Sequence, residues 1–162
     1  MPGVPAGHPY TQRTVLRPVD IHDVRFLRDM LRHAYHWRFA EDEERPVYRY
    51  VQNWGRPGDA GVVAMDGPHS YGAAWYRLFT DREPGFGFVD EQTPELTLAV
   101  VPSRRGKGAG KELLDALLEH AREQGYRTIS LSAAKEQAAY YEQFGFETVG
   151  ESDHAITMLA QL

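Results

Sequence analysis

The spacing of apolar residues changes period several times along the chain, and Pro, Gly or Asp marks most of the changes. Thr14 to Arg17 is a strand-like run stopped by Pro18. Asp20, with Asp23 three residues on, can cap a helix, and Val24, Leu27, Leu31, Ala34 and Tyr35 then recur at helical spacing, which predicts a first helix at about 21–37. The aromatic segment PVYRYVQNW starts with Pro46 at a plausible first helical position and ends before Gly55, a short second helix. GVVAM and YGAAWYRLF, separated by Asp66-Gly67-Pro68, read as an antiparallel hairpin. ELTLAVV (95–101) is a strong strand that Pro102 ends, and the turn SRRGKGAG leads straight into Leu113, Leu114, Leu117, Leu118 and Ala121, the clearest amphipathic helix, closed by Gly125. TISLSA is a further strand, QAAYYEQF a short helix ended by Gly145, and FETVG and HAITML are two closing strands. This order predicts a mixed α/β or α+β sheet with helices on both faces.

Composition narrows what such a sheet can do. The 162 residues suit one domain, expected over 14–162, behind a Pro/Gly-rich leader at 1–13 that resembles no signal peptide and points to a cytoplasmic protein. With no cysteine, disulfide frameworks, zinc-thiolate sites and cysteine nucleophiles are excluded, leaving His, Ser, Tyr and carboxylates for any chemistry. No apolar run approaches the ~20 residues of a bilayer span. The net charge of −5 argues against a nucleic-acid or anionic-membrane binder. That total conceals an asymmetry: Arg104, Arg105, Lys107 and Lys111 cluster, and without these four the chain holds 14 basic against 23 acidic residues, or −9.

The cluster surrounds a glycine turn between a strand and a helix, where backbone N–H groups converge and the helix dipole favours anions. It is a phosphate cradle in type. A Walker loop is excluded because Arg105 stands where its first glycine belongs and Glu112 follows Gly110-Lys111; the Rossmann spacing fails because the glycines stand at 106, 108 and 110. Gly108 and Gly110 would let the backbone approach a pyrophosphate, and no acidic residue lies from Ser103 to Lys111.

Val100-Val101-Pro102 followed by Arg105-Gly106-Lys107-Gly108-Ala109-Gly110 resembles the pyrophosphate loop of the GNAT acetyltransferases, V-x-P then R/Q-x-x-G-x-G/A. Downstream, Tyr141-Glu142-Gln143-Phe144-Gly145-Phe146 is similar to that family's Y-E-x-x-G-F signature. The resemblance is close over Glu95 to Val149 and elsewhere rests on element order. It implies a mostly antiparallel sheet of about six or seven strands flanked by about four helices and splayed between the fourth and fifth strands. It further implies acetyl-CoA as co-substrate, with its pantetheine arm on the edge of Leu98, Ala99 and Val100 and its pyrophosphate on Arg105 to Lys111. The implied reaction is direct attack of a primary amine on the thioester. Tyr141 matches the family's general acid; packing alone is the other reading. Glu95 stands where many relatives place a carboxylate that deprotonates the amine through water; a solvated strand-end acid, or a charge that attracts a cationic substrate, are its alternatives. Ala133 and Ala134 occupy the segment where many relatives carry an Asn.

The acceptor side is less legible. Tyr35, His36, Trp37, Tyr48, Tyr50, Trp54, Trp75 and Tyr76 could wall a pocket or a cation-binding face, or could simply be core aromatics. Glu41 to Glu44, Asp90 and Glu91 read as solvated loop charges or as an acidic mouth for a cationic amine. His33 and His36 lack a third ligand at metal spacing, so no metal is expected. The best reading is an acetyl-CoA-dependent N-acetyltransferase acting on a small-molecule or peptide amine, with no nucleic-acid or membrane partner and a homodimer left open. A non-catalytic acyl-CoA-binding regulatory module is the alternative, and a nucleotide-binding α/β protein fails on motif spacing.

Overall fold

A computed structural model describes residues 14–35 and 47–162. The leader at 1–13, His36, Trp37 and the acidic stretch Glu41 to Glu44 lie outside the described residues. The strands are β1 (Val15–Pro18), β2 (Ala60–Asp66), β3 (His69–Arg77), β4 (Glu95–Val100), β5 (Thr128–Ala134), β6 (Phe146–Glu151) and β7 (Ala155–Gln161). Three α-helices are described: α1 (Val24–Ala34), α2 (Ala109–Glu123) and α3 (Ala138–Glu142). The seven strands form one mixed sheet in the order β1-β2-β3-β4-β5-β7-β6.

The first helix begins as anticipated, through reciprocal capping: Asp20 accepts from the His22 N–H at 2.7 Å while the Asp23 carboxylate accepts from the Asp20 N–H at 2.8 Å. Its first turn is a 3-10 segment, Ile21–Asp23, and the α-helix ends at Ala34, short of the expected boundary at about 37. Of the second helix expected at 46–54, Pro46 lies outside the described residues, Val47 and Tyr48 are helical, and turns occupy 49–53. Proximity to the sheet decides this, because the segment is pinned by its backbone. Arg77, buried on β3, donates to the Arg49 and Gln52 carbonyls at 2.8 and 2.6 Å, and pairs both arms of its guanidinium with Asp59 at 2.9 and 2.8 Å.

Side chains in strands alternate between faces, and the two cores follow that period. Ala74, Tyr76, Leu96, Val100, Ile129 and Leu131 pack against α2, whose Leu113, Leu114, Leu117 and Leu118 are all buried. Each such leucine contributes roughly 1.5–3 kcal/mol by leaving water. Ala73, Trp75 and Ala99, on the opposite face, pack against Leu27, Met30, Leu31 and Tyr35 of α1 and its C-terminal end. Tyr141 of α3 joins the α2 core, so α2 and α3 cover one face and α1 the other.

The functional feature of the sheet is its one parallel contact. β4 pairs with β3 along its whole length, from Arg77↔Glu95 to Gly72↔Val100, but meets β5 at a single register position, Glu95↔Ser130. Beyond it the two strands diverge, which is the expected splay. The edge of β4 from Leu98 to Val100 therefore faces a gap instead of a ladder.

Candidate active site

The gap opens into a cavity of about 390 Å3. One wall is the β4 edge, Leu98 to Val100; a second is the glycine turn and first residues of α2; a third is Gln137, Tyr140 and Tyr141; and His33 and Ala34 at the end of α1 close it. Every residue assigned to cofactor binding from sequence lines this cavity except Lys107.

Gly106 and Gly108 have φ values of +79° and +88°, in the left-handed region that L side chains rarely adopt, and a Cβ at either would meet nothing within 4 Å. These glycines are therefore retained by conformation around open space, a cradle that side chains would begin to fill. Gly110 differs: its φ is not positive, and a Cβ there would approach the Tyr140 hydroxyl at 3.0 Å. Its role is close packing. Gly108 is the N-cap of α2 and no side chain caps that helix, which leaves the first-turn N–H groups directed at the cradle. The positive cluster is more neutralised than its sequence suggests. Arg104 pairs with Asp66 at 2.7 Å and lies over the Tyr71 ring, Lys111 pairs with Asp115 at 2.6 Å, and Arg105 turns back to donate to the Val100 carbonyl at 3.0 Å.

Tyr141 lines this cavity and also a second, smaller one of about 10 Å3 that perforates the sheet at the splay. The small cavity is bounded by Leu96, Thr97 and Leu98 of β4, Leu131 and Ser132 of β5, and Tyr35. Such a volume is at the threshold for one water molecule. Burial, with a smaller contribution from Tyr140, pushes the Tyr141 phenol above its ordinary value, so it keeps its proton at neutral pH.

Glu95 does not reach either cavity. It is fully buried on the α1 face, where it accepts hydrogen bonds from the Tyr50 hydroxyl and, at 3.1 Å, from the Gly87 N–H. The solvated strand-end reading is thereby excluded. Side chains lead from it towards the small cavity: Tyr50 donates to Glu95, the Tyr50 ring stacks on that of Tyr35 with centroids 5.1 Å apart, and the Tyr35 hydroxyl lies 3.1 Å from that of Thr97. Burial first, and Glu95 second, push both phenols up.

Of the aromatic set, Tyr35, Tyr50, Trp75 and Tyr76 are core residues, and Tyr48 and Trp54 are half-buried against it. Asp90 and Glu91 are exposed and bond their own loop, accepting from the Gln92 and Asp81 N–H groups at 2.9 and 3.0 Å. Among the described residues no group of His, Asp or Glu could hold a metal ion, and no helix is long and apolar enough to cross a membrane. Sequence reasoning missed Gln137 and Tyr140 as lining residues. Ala133 is buried in the core, and it is Gln137 that reaches back to accept from the Ala134 N–H at 3.1 Å.

The chain belongs to the acetyltransferase (GNAT) family, whose profile matches residues 25–146. Solved structures share its fold. The PaiA N-acetyltransferase of Thermoplasma acidophilum, solved with coenzyme A, superposes with a TM-score of 0.67 at 14% identity, over 93% of this chain and 100% of that one. An IAA acetyltransferase from Bacillus cereus gives 0.67 at 19% identity over 93% and 100%, and a phosphinothricin acetyltransferase from Sinorhizobium meliloti, solved with acetyl-CoA, gives 0.64 at 21% identity over 93% and 89%. No curated protein sequence matches the chain. Family membership sets acetyl transfer as the class of activity and leaves the acceptor unassigned.

Proposed function

We propose that the chain transfers an acetyl group from acetyl-CoA to the nitrogen of an amine by direct attack on the thioester. One observation carries this reading: the glycine cradle, the unpaired edge of β4 and the protonated Tyr141 hydroxyl all border a single cavity. The backbone of 106–111 would hold the pyrophosphate, and Leu98 to Val100 would pair with the pantetheine amides as an added strand would. Bound acetyl-CoA supplies the activated acyl group.

The protein has two protons to manage. An alkylammonium titrates near ~10.4 and must lose a proton before its nitrogen can attack. The hydroxyls of Thr97, Tyr35 and Tyr50, which stand between the small cavity and Glu95, offer the route, with Glu95 as the terminal acceptor at the buried end. At the other side, the leaving sulfur has a conjugate thiol near ~8.5 and leaves as an anion unless it is helped. Tyr141, whose phenol is held protonated, donates a hydrogen bond to that sulfur and then its proton, and recovers one through the open cavity.

Release of free thiol from acetyl-CoA over a panel of amines tests the reading. Tyr141→Phe should lower kcat by about 10²-fold, the low end for lost acid catalysis, with CoA affinity unchanged. Gly108→Val should weaken CoA binding at least tenfold through strain at positive φ and a filled cradle. Thermal stabilisation by CoA without thiol release from any amine would instead establish the regulatory-module alternative.

A further inference from the structure

Four residues, Ala34, Leu98, Gln137 and Tyr141, stand in the walls of both the large cavity and the small one at the splay. Ala34 and Leu98 have apolar side chains and the Tyr141 proton is assigned to the leaving sulfur, which leaves Gln137 as the one polar side chain of the four without a role. It occupies the last position of the 3-10 turn Lys135–Gln137, which runs directly into α3. Tyr141 follows four residues later, and residues four apart on a helix lie on one face with Cβ atoms about 5–6 Å apart. Chemistry fixes the orientation of the Gln137 carboxamide. The Ala134 backbone N–H lies at 3.1 Å, and only the amide oxygen can accept from it. Oε1 is therefore committed to the backbone, and Nε2 is left as a donor with two hydrogens. Gln137 is exposed in the cavity wall, so this anchoring bond, and not packing, holds the amide in place.

Resting on the acetyltransferase reading, we infer that Gln137 is a further catalytic residue, whose Nε2–H donates to the thioester carbonyl oxygen and stabilises the charge that gathers there in the transition state. The connectivity of a thioester imposes the pairing. Oxygen and sulfur share one carbon, so a sulfur held at the Tyr141 hydroxyl brings the oxygen beside the neighbouring helical turn, where Gln137 stands. As the neutral amine attacks, the N–C bond forms and the carbonyl π pair moves onto oxygen. When the C–S bond breaks that pair returns, and sulfur takes the Tyr141 proton. The oxygen thus needs a donor at the moment when Tyr141, with a single proton, is engaged by sulfur. An amide suits this task because it keeps its hydrogens at neutral pH and adds no charge of its own to the site. Its bond to Ala134 orients it before acyl-CoA arrives, and donors fixed in advance are those for which oxyanion stabilisation is largest.

Two substitutions separate this role from that of an anchor for the turn. Gln137→Glu keeps an oxygen for the Ala134 N–H and loses the donor, whereas Gln137→Met loses both. Each should lower kcat by about 10²-fold, the low end for one lost oxyanion donor, while the affinity for CoA, which has no acetyl group, stays close to that of the wild type. Only Gln137→Met should also lose thermal stability. A second measurement does not depend on turnover: infrared difference spectra of acetyl-CoA isotopically labelled at its carbonyl carbon, bound to each protein without amine. The carbonyl stretch should fall to lower frequency on the wild type than on either variant, because a donated hydrogen bond weakens the C=O bond. Unchanged kcat in Gln137→Glu, a loss confined to CoA affinity, or one carbonyl frequency shared by all three proteins would overturn the inference. Thiol release with that shared frequency defeats the Gln137 contact alone, whereas a lowered frequency on a wild type that releases no thiol with any amine defeats the acetyl-transfer reading and leaves the contact standing.

Discussion

Replacing Arg77 by Met would separate the sheet from the segment that carries Tyr50. Both side chains of the Arg77–Asp59 pair are about 1–2% exposed, and the guanidinium makes four hydrogen bonds, two to the carboxylate and two to the Arg49 and Gln52 carbonyls. The Met side chain has similar length and keeps most of the apolar contact, including that against Trp54, but leaves a carboxylate and two carbonyls buried without their donor. Breaking one side of a buried pair costs about 3–5 kcal/mol, against a total stability of about 5–15 kcal/mol. For a domain of this size that corresponds to a fall in Tm of about 6–20 °C. Asp59 also accepts from the Gly55 and Arg56 N–H groups, both at 2.9 Å, so Asp59→Leu should cost at least as much. Urea unfolding of both single variants and of the double variant closes the cycle. The double variant should be less destabilised than the two singles added together, since the second change removes a charge already orphaned by the first. Losses below about 1 kcal/mol, or simple additivity, would show that the pair is solvated and does not hold the segment.

Two further perturbations test the surroundings of the site. The guanidinium of Arg17, bonded to Asp23 at 2.7 and 2.6 Å, holds that carboxyl below its ordinary range. A lowered folded pKa gives stability that is complete above the unfolded value of ~3.9 and lost as pH falls below it. Arg17→Ala should therefore be less stable than the wild type at neutral pH and equal to it near about pH 2, as read from denaturant midpoints; an undiminished gap in acid would refute the assignment. In the loop before β4, a Cβ on Gly87 would stand 2.6 Å from the Leu131 carbonyl carbon and 2.8 Å from the Ser132 N–H nitrogen, and backbone cannot give way as a side chain can. Gly87→Ala should lift the loop off β5, breaking its bonds to Glu95 and to the Ser130 hydroxyl, and so lower turnover more than CoA affinity. Unchanged kcat would show that the loop does not support the proton route.

What the sequence disclosed and what it withheld follow one physical division. The glycine turn, the β4 strand and the leucine face of α2 are each specified by neighbours close in the chain, through φ preference, period two and period 3.6, and all lie where the pattern put them. The proposed cofactor side of the site is assembled from those pieces, and its residues could be named from sequence for that reason. Glu95 shows the limit. Its position at the start of β4 could be read, but its burial depends on Tyr50 and Gly87, 45 and 8 residues away, and no local pattern encodes a contact between them. The second helix stops at Tyr48, short of its expected end, for the same reason, because Arg77, 28 residues downstream, takes the Arg49 carbonyl in place of a helical partner. Ser132 is the extreme case. Ser130 and Ser132 in TISLSA look like the solvent face of an ordinary strand by alternation alone. Only tertiary structure distinguishes them, since a loop carrying Phe86 and Gly87 covers Ser130, whose hydroxyl donates to the Gly87 carbonyl at 2.8 Å, and leaves Ser132 on the rims of two separate cavities, the smaller of which Tyr141 also lines.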